Sequence, residues 1–117
     1  MKLGIDQYSF GRMIVSGRAF TSDLILYPDG RIQDNWWREQ GHRLVPADIA
    51  AVLDAAPRRL VIGTGASGLM TVSERVMALC RERGVEVDVS PTATAATQFN
   101  KATAAGISVA ACFHLTC

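Results

Sequence analysis

Leu60-Val61-Ile62-Gly63-Thr64-Gly65-Ala66-Ser67-Gly68, followed by Thr71-Val72-Ser73-Glu74, is the stretch that decides the fold. Three β-branched or branched apolar residues in a row, bounded by glycine, read as a short buried strand. Thr71 to Glu74 fits a capping box, with the threonine covering the N3 amide and the glutamate reaching back. Val72, Val76, Leu79 and Cys80 then recur at helical spacing, Arg81 and Arg83 suit the carboxyl end, and Gly84 supplies a positive-φ stop. A buried strand, a loop and an amphipathic helix in that order is the unit of a parallel sheet.

Outward from this unit the same alternation continues. Upstream, Pro46 and Asp48 open a helix whose apolar stripe is Ile49, Val52, Leu53 and Ala56, stopped by Pro57. Downstream, Val85, Val87 and Val89 make a strand, and Ser90-Pro91 starts a third helix. Ala95, Phe99 and Ala102 stripe that helix, Gly106 ends it, and Ile107 to Phe113 is a closing strand. Residues 8–37 carry a different period and read as β structure: Phe10 to Val15, Asp23 to Tyr27 and Arg31 to Trp36. The last two runs meet at Pro28-Asp29-Gly30, where proline presets φ and glycine takes the positive-φ position. The order is a β-rich front followed by α-β-α-β-α-β, an α/β class with a β-hairpin layer attached and parallel neighbours joined by right-handed crossovers.

The chain has 117 residues, room for one domain over residues 1–117 and not for two. Twelve basic against eleven acidic residues leave a net charge of +1, so no electrostatic footprint for nucleic acid is present. The pairs Arg58-Arg59 and Arg81/Arg83 read as solvated helix ends. No apolar run is long enough to insert in a membrane, and Met1 to Asp6 has no secretory h-region. Cys80, Cys112 and Cys117, odd in number and without CxxC spacing, suggest neither a disulfide framework nor a zinc knuckle, and fit a reducing cytoplasm.

Gly63-Thr64-Gly65-Ala66-Ser67-Gly68 satisfies G-x-G-x-x-G between a strand and a helix, with Asp88 twenty residues after Gly68. Three points count against a dinucleotide. The cap at Thr71 starts the helix beyond all three glycines, Asp88 lies inside its strand, and too few residues follow for a second mononucleotide half. The loop reads as a tight turn or as a cradle for a smaller anion. In that case the ligand-binding candidates are Gly63, Thr64, Gly65, Ser67 and Gly68, with Ser90 and Thr92 from the next strand end. Ser67 is no nucleophile elbow, which needs glycines at both −2 and +2, because Leu69 stands at +2.

Two further groups stand out. Trp36, Trp37, Arg38 and His42 form a partner-binding candidate, because adjacent strand residues face opposite sides and one indole must then face outward. His114 and Cys117 form an H-x-x-C pair. Metal binding would need two more ligands and nucleophilic catalysis a lowered thiol pKa beside a base, so His114 reads as a hydrogen-bonded structural residue. Cys80 and Cys112 read as buried small hydrophobes. No catalytic residue, metal or cofactor is implied.

In its ordered motifs the chain resembles the domain-of-unknown-function family (MTH-type domain) that includes the adipogenesis-associated domain protein and the mitochondrial complex I assembly factor three. The likeness runs through Tyr8/Phe10, Gly17, Tyr27-Pro28-Asp29-Gly30 and Trp36-Trp37-Arg38. It continues in Gly41-His42, Pro46-Ala47-Asp48-Ile49, Leu60 to Gly65, Thr94-Ala95 and Phe99-Asn100. It ends in Phe113-His114-Leu115-Thr116-Cys117, similar to the tail of the animal adipogenesis-associated members. The resemblance implies a three-layer β+α/β/α arrangement around a mixed, mostly parallel central sheet, and no established catalysis. It further implies a binding or assembly role, which we read as a cytoplasmic domain holding a protein partner. The alternatives are a small-molecule or anion binder at Gly63–Gly68 and, last, a thiol enzyme using Cys117 and His114; the residues do not set the oligomeric state.

Overall fold

The computed structural model describes residues 2–117. At the front, Ile5–Ser9 (β1), Arg12–Val15 (β2) and Arg18–Phe20 (β3) form an antiparallel three-stranded sheet. The expected strand Phe10 to Val15 therefore begins late. Phe10 and Gly11 are the turn from β1, with Gly11 at φ +74°. Ser16 and Gly17 close the second hairpin with φ of 47° and 82°, as the twist of a two-residue hairpin demands. Leu24–Leu26 (β4) and Ile32–Gln33 (β5) flank the Pro28-Asp29-Gly30 turn as read from sequence, but both strands are shorter than expected. β5 ends before the tryptophans, where Asn35 adopts φ 49° and turns the chain away from the ladder.

The rest of the chain follows the α/β alternation with local changes. Arg43–Leu44 (β6) precedes a 3-10 turn, Pro46–Ile49, that runs into a short helix, Ala50–Asp54 (α1). Ile49, Val52 and Leu53 are buried as expected, whereas Ala56 has left the helix at φ 49°. Arg59–Thr64 (β7) follows. Thr71–Val72 (β8) then pairs in parallel with β6, so Thr71 is not a helix cap. Its amide donates to the His42 carbonyl at 2.8 Å. The N-cap passes to Ser73, whose Oγ accepts from the Val76 amide at the start of Glu74–Glu82 (α2).

Glu86–Ser90 (β9) leads through Pro91 into Thr92–Ala104 (α3), and Val109–His114 (β10) closes the chain's regular structure. Ser90 ends the strand rather than capping α3, and Pro91 holds the cap position. Arg59 likewise lies in β7, within 3.3 Å of Glu86, and not at a helix end.

The central sheet has strand order β5-β4-β10-β7-β9. β10, β7 and β9 are parallel, while β4 runs antiparallel to both β10 and β5. Every residue of β10 is buried, as expected for a strand covered on both faces. Its alternation divides two cores. Val109, Ala111 and Phe113 face α3 and the three-stranded sheet; Ala110 and Cys112 face α1, α2 and Trp36. Phe99 of α3 meets Phe113 edge-to-face, with ring centroids 6.3 Å apart. This is the three-layer arrangement, with the front sheet and α3 sharing one layer. No helix among the described residues is long and apolar enough to cross a membrane.

The topology gathers chemistry at one edge. β7 and β10 end side by side, Thr64 opposite His114, and antiparallel β4 begins there, Leu24 opposite Phe113. Side chains and loops at those ends therefore converge where ligands collect in open α/β sheets.

Candidate functional site

Three ionisable side chains meet at that edge. Asp23 stands just ahead of β4, His114 is the last residue of β10, and Arg38 arrives from the loop after β5. That loop is pinned by Trp36. Its indole N–H donates to the Asp48 carbonyl at 3.1 Å, and its backbone N–H donates to the Asp23 carbonyl at 2.9 Å. The Asp48 carboxylate in turn accepts from the amides of Glu39 and Val45. The Arg38 guanidinium lies 4.9 Å from the centre of the Trp36 ring and donates through Nε to the Gly41 carbonyl.

Asp23 is the hub. Oδ1 accepts from the Leu115 amide at 2.8 Å, and Oδ2 lies 2.8 Å from Arg38 Nη2 and 2.7 Å from His114 Nδ1. The side chains of Arg38 and Asp23 are only 7% and 15% exposed, so this is an ion pair largely out of water. Burial alone would raise the Asp23 pKa. The bonds from His114, the Leu115 amide and Arg38 outweigh it and hold the carboxyl below its usual range. An ionised Asp23 can only accept, so His114 Nδ1 carries the hydrogen in their bond. The 3.2 Å approach of Arg38 Nη2 to Nδ1 is then a contact between neighbours. The His42 ring packs edge-on against His114, centroids 5.4 Å apart.

Beside this cluster is an open cavity of about 310 Å³ walled by Ser22, Asn35, Trp37 and Thr116 as well as Asp23, Arg38 and His114. Trp37 is 84% exposed at its rim. Two polar atoms of the wall residues, Arg38 Nη1 and His114 Nε2, are buried and have no partner. Unpaired buried groups of this kind are costly and call for an explanation.

The glycine loop lies next to the cavity, and two of its amides are turned to the protein's own tail. Ala66 N–H donates to the Thr116 carbonyl at 2.6 Å, and Leu69 N–H to the Cys117 carbonyl at 3.0 Å. Gly68 N–H returns to the Gly65 carbonyl, and Gly65 N–H donates to Thr92 Oγ1. Thr92, fully buried, passes its own hydroxyl proton to the His114 carbonyl at 2.6 Å. Thr64 Oγ1 donates to the Ser90 carbonyl. An anion on this loop would have to displace the tail. Thr92→Val removes both hydroxyl bonds without changing side-chain shape, and is expected to cost about 2 kcal/mol in urea denaturation. An unchanged midpoint would show that the hydroxyl does not tie the loop, α3 and β10 together.

Two groups read separately from the sequence thus become one. Trp36, Trp37 and Arg38 join His114 and Thr116 around the cavity, with His42 against the His114 ring outside it. Of the loop candidates, Gly65 lies against the tail, Thr64 and Thr92 bond the Ser90 and His114 carbonyls, Gly63 and Gly68 pack within the fold, and Ser67 is exposed and brought to none of them. Phe113 packs in the core and Cys117 is exposed at the cradle, apart from the cluster centred on Asp23. One of the tryptophans faces inward and the other outward, although neither lies in a strand. Cys80 and Cys112 are buried, and burial pushes both thiols up. Asp23 was missed. Its only local signal is its place ahead of an apolar run.

The comparisons agree with this architecture. A conserved hypothetical protein from Pyrococcus horikoshii is 27% identical and superimposes with a TM-score of 0.84 over 100% of both chains. An outer membrane protein from Bartonella henselae is 26% identical, with a TM-score of 0.84 over 98% of this chain and 96% of that one. A Mth938-like domain from Bordetella pertussis shares the fold at 21% identity, with a TM-score of 0.61 over 96% of this chain and 85% of its own. Residues 5–114, from the first strand to the histidine of the cluster, match a protein family described as of unknown function (DUF498/DUF598), and the chain belongs to that family.

Proposed function

We propose that this chain is a binding domain that holds a protein partner at the carboxyl-end face of its sheet, with Trp37 as the anchor. The observation that carries the reading is the almost fully exposed indole of Trp37 at the mouth of a cavity whose wall is a buried ion pair. Exposed aromatics beside desolvated charged groups are the usual hot spots of protein interfaces. Two more exposed apolar residues stand on segments bound to the same tail. Phe10 precedes Gly11, whose amide donates to the Leu115 carbonyl, and Leu69 donates its own amide to Cys117. The assembly role implied by the family resemblance is a role of this kind. Three unpaired cysteines suit the reducing cytoplasm we assign to it.

Trp37→Ala should leave stability within about 0.5 kcal/mol, because the side chain is mostly in water. It should weaken partner binding by about 30-fold, the effect of losing a hot spot of roughly 2 kcal/mol. A photoreactive residue at position 37, with position 89 on the exposed edge strand as control, would capture the partner in cells. Capture from 37 alone, followed by the expected loss of affinity for the purified partner, supports the reading. Equal capture from both positions, or an affinity indifferent to Trp37, rejects it.

A further inference from the structure

We infer that the segment the partner lays in the cavity beside Trp37 is neutral and proline-rich, held as a polyproline II helix. The inference rests on the docking reading for the presence of a partner; the kind of segment follows from which polar groups of the wall are free. Four wall side chains keep solvent access and, among the described residues, give no hydrogen to a protein acceptor: Thr21, Ser22, Asn35 and Thr116. Ser22 Oγ already accepts from the Asn35 amide, which leaves its own hydrogen to give. The fixed acceptors of the same wall each have a donor already. Leu115, Arg38 and His114 occupy both oxygens of the Asp23 carboxylate. The carbonyls of Asp23, His114, Leu115 and Thr116 accept from Trp36, Thr92, Gly11 and Ala66. Asp23 and Arg38 also cancel each other's charge. The buried nitrogens Arg38 Nη1 and His114 Nε2 reach no solvent and take no part.

Such a wall favours a ligand that accepts hydrogen bonds and donates none. Consecutive prolines are the peptide sequence of that kind, since each residue offers a carbonyl and no N–H. In polyproline II those carbonyls have no internal partner, and the conformation exists before binding, so little entropy is lost on docking. A prolyl ring can lie on the almost fully exposed indole of Trp37. An ordinary extended segment would bring its N–H groups to a wall with no vacant fixed acceptor. A pyranose would also stack on the indole, but its hydroxyl hydrogens meet the same lack. A second exposed ring stands farther along. A Cβ at Gly11 would lie 3.9 Å from Thr116 Cγ2, so a segment running from Trp37 over Thr116 meets the turn that carries Phe10.

Three probes decide the matter on the unaltered protein: acetyl-hexaproline amide, acetyl-hexaalanine amide and methyl α-glucopyranoside, titrated by NMR at the Trp37 indole N–H and the Asn35 and Thr116 amides. Hexaproline is expected to shift all three signals saturably and to bind at least about tenfold more tightly than either of the others, the effect of its missing N–H groups and preformed backbone. Trp37→Ala should abolish the shifts at Asn35 and Thr116. Thr116→Val, which keeps the side-chain shape and loses the hydroxyl, should weaken hexaproline about fivefold, the effect of one hydrogen bond. Hexaalanine binding as well as hexaproline would overturn the inference in favour of an ordinary extended segment. The glucoside doing so would overturn it in favour of a sugar, and silence at Asn35 and Thr116 would overturn it outright. Any of these results on a protein that still captures its partner from position 37 leaves the docking reading standing. Hexaproline binding with no protein captured from position 37 would uphold the chemistry of the cavity and reject the docking reading.

Discussion

Asp23→Ala is expected to destabilise the protein by about 3 kcal/mol, because it strands a buried guanidinium and removes three hydrogen bonds at once. For a domain of this size that corresponds to a fall in Tm on the order of 12 °C, readable by calorimetry. Most of the loss belongs to the orphaned Arg38. Asp23→Leu combined with Arg38→Met should therefore recover a substantial part of it, as replacement of a buried pair by apolar groups often does. The pH dependence carries a sign. The Asp23 carboxyl titrates below its ordinary range when folded, so its contribution is complete above the unfolded value of about 3.9. That contribution is withdrawn as the pH falls through the lower folded value. The stability gap between the unaltered protein and Asp23→Asn should accordingly narrow on acidification. A gap that widens toward low pH, or a single alanine variant as stable as the parent, would show that Asp23 is not the hub of this cluster.

The second large effect is expected at Gly65. Its φ is +107°, a conformation side-chain-bearing residues rarely adopt, and an added Cβ would lie 2.8 Å from the Thr116 carbonyl oxygen and closer still to the Cys117 carbonyl. Gly65→Ala should cost about 3 kcal/mol and release the tail, seen as faster hydrogen exchange at the Ala66 and Leu69 amides, whose acceptors are tail carbonyls. Gly68 is the internal control. It too has positive φ, +70°, but an added Cβ would meet only Thr64 and Pro91 at ordinary contact distances of 3.5 and 3.6 Å. Gly68→Ala should thus lose only about 1 kcal/mol and leave the tail amides protected. Equal losses at the two positions would mean that backbone conformation alone, and not the docked tail, sets the requirement for glycine.

The contrast between these glycines shows where reading the chain residue by residue succeeds. Helix sidedness is a local property, and the Ala95, Phe99 and Ala102 stripe is the buried face of α3. The Pro28-Asp29-Gly30 turn is local as well, since a positive φ is a demand on single residues. The cap of α2 was misplaced because the two residues before Ser73 are claimed by a strand pairing with residues 43 and 44, far away in sequence. Thr71 has the chemistry of a cap but lacks the backbone freedom to be one.

The amino-acid sequence by itself determined the α/β alternation, the buried apolar strand at Leu60 to Ile62, the Pro28-Asp29-Gly30 turn, and the outward tryptophan beside an arginine. Each depends on side-chain period or on the conformational range of one residue. Only the tertiary structure decided which chemistry those parts compose. Asp23 reaches His114 across 91 residues through the antiparallel pairing of β4 with β10, and no local pattern encodes such a meeting. The same holds for the glycine loop. Its letters are shared by loops that cradle a phosphate and loops that cradle a peptide, and the amides are identical in both. Here the chain leaving β10 brings the Thr116 and Cys117 carbonyls to those amides first, because β10 ends beside β7 and its tail can only pass over the loop.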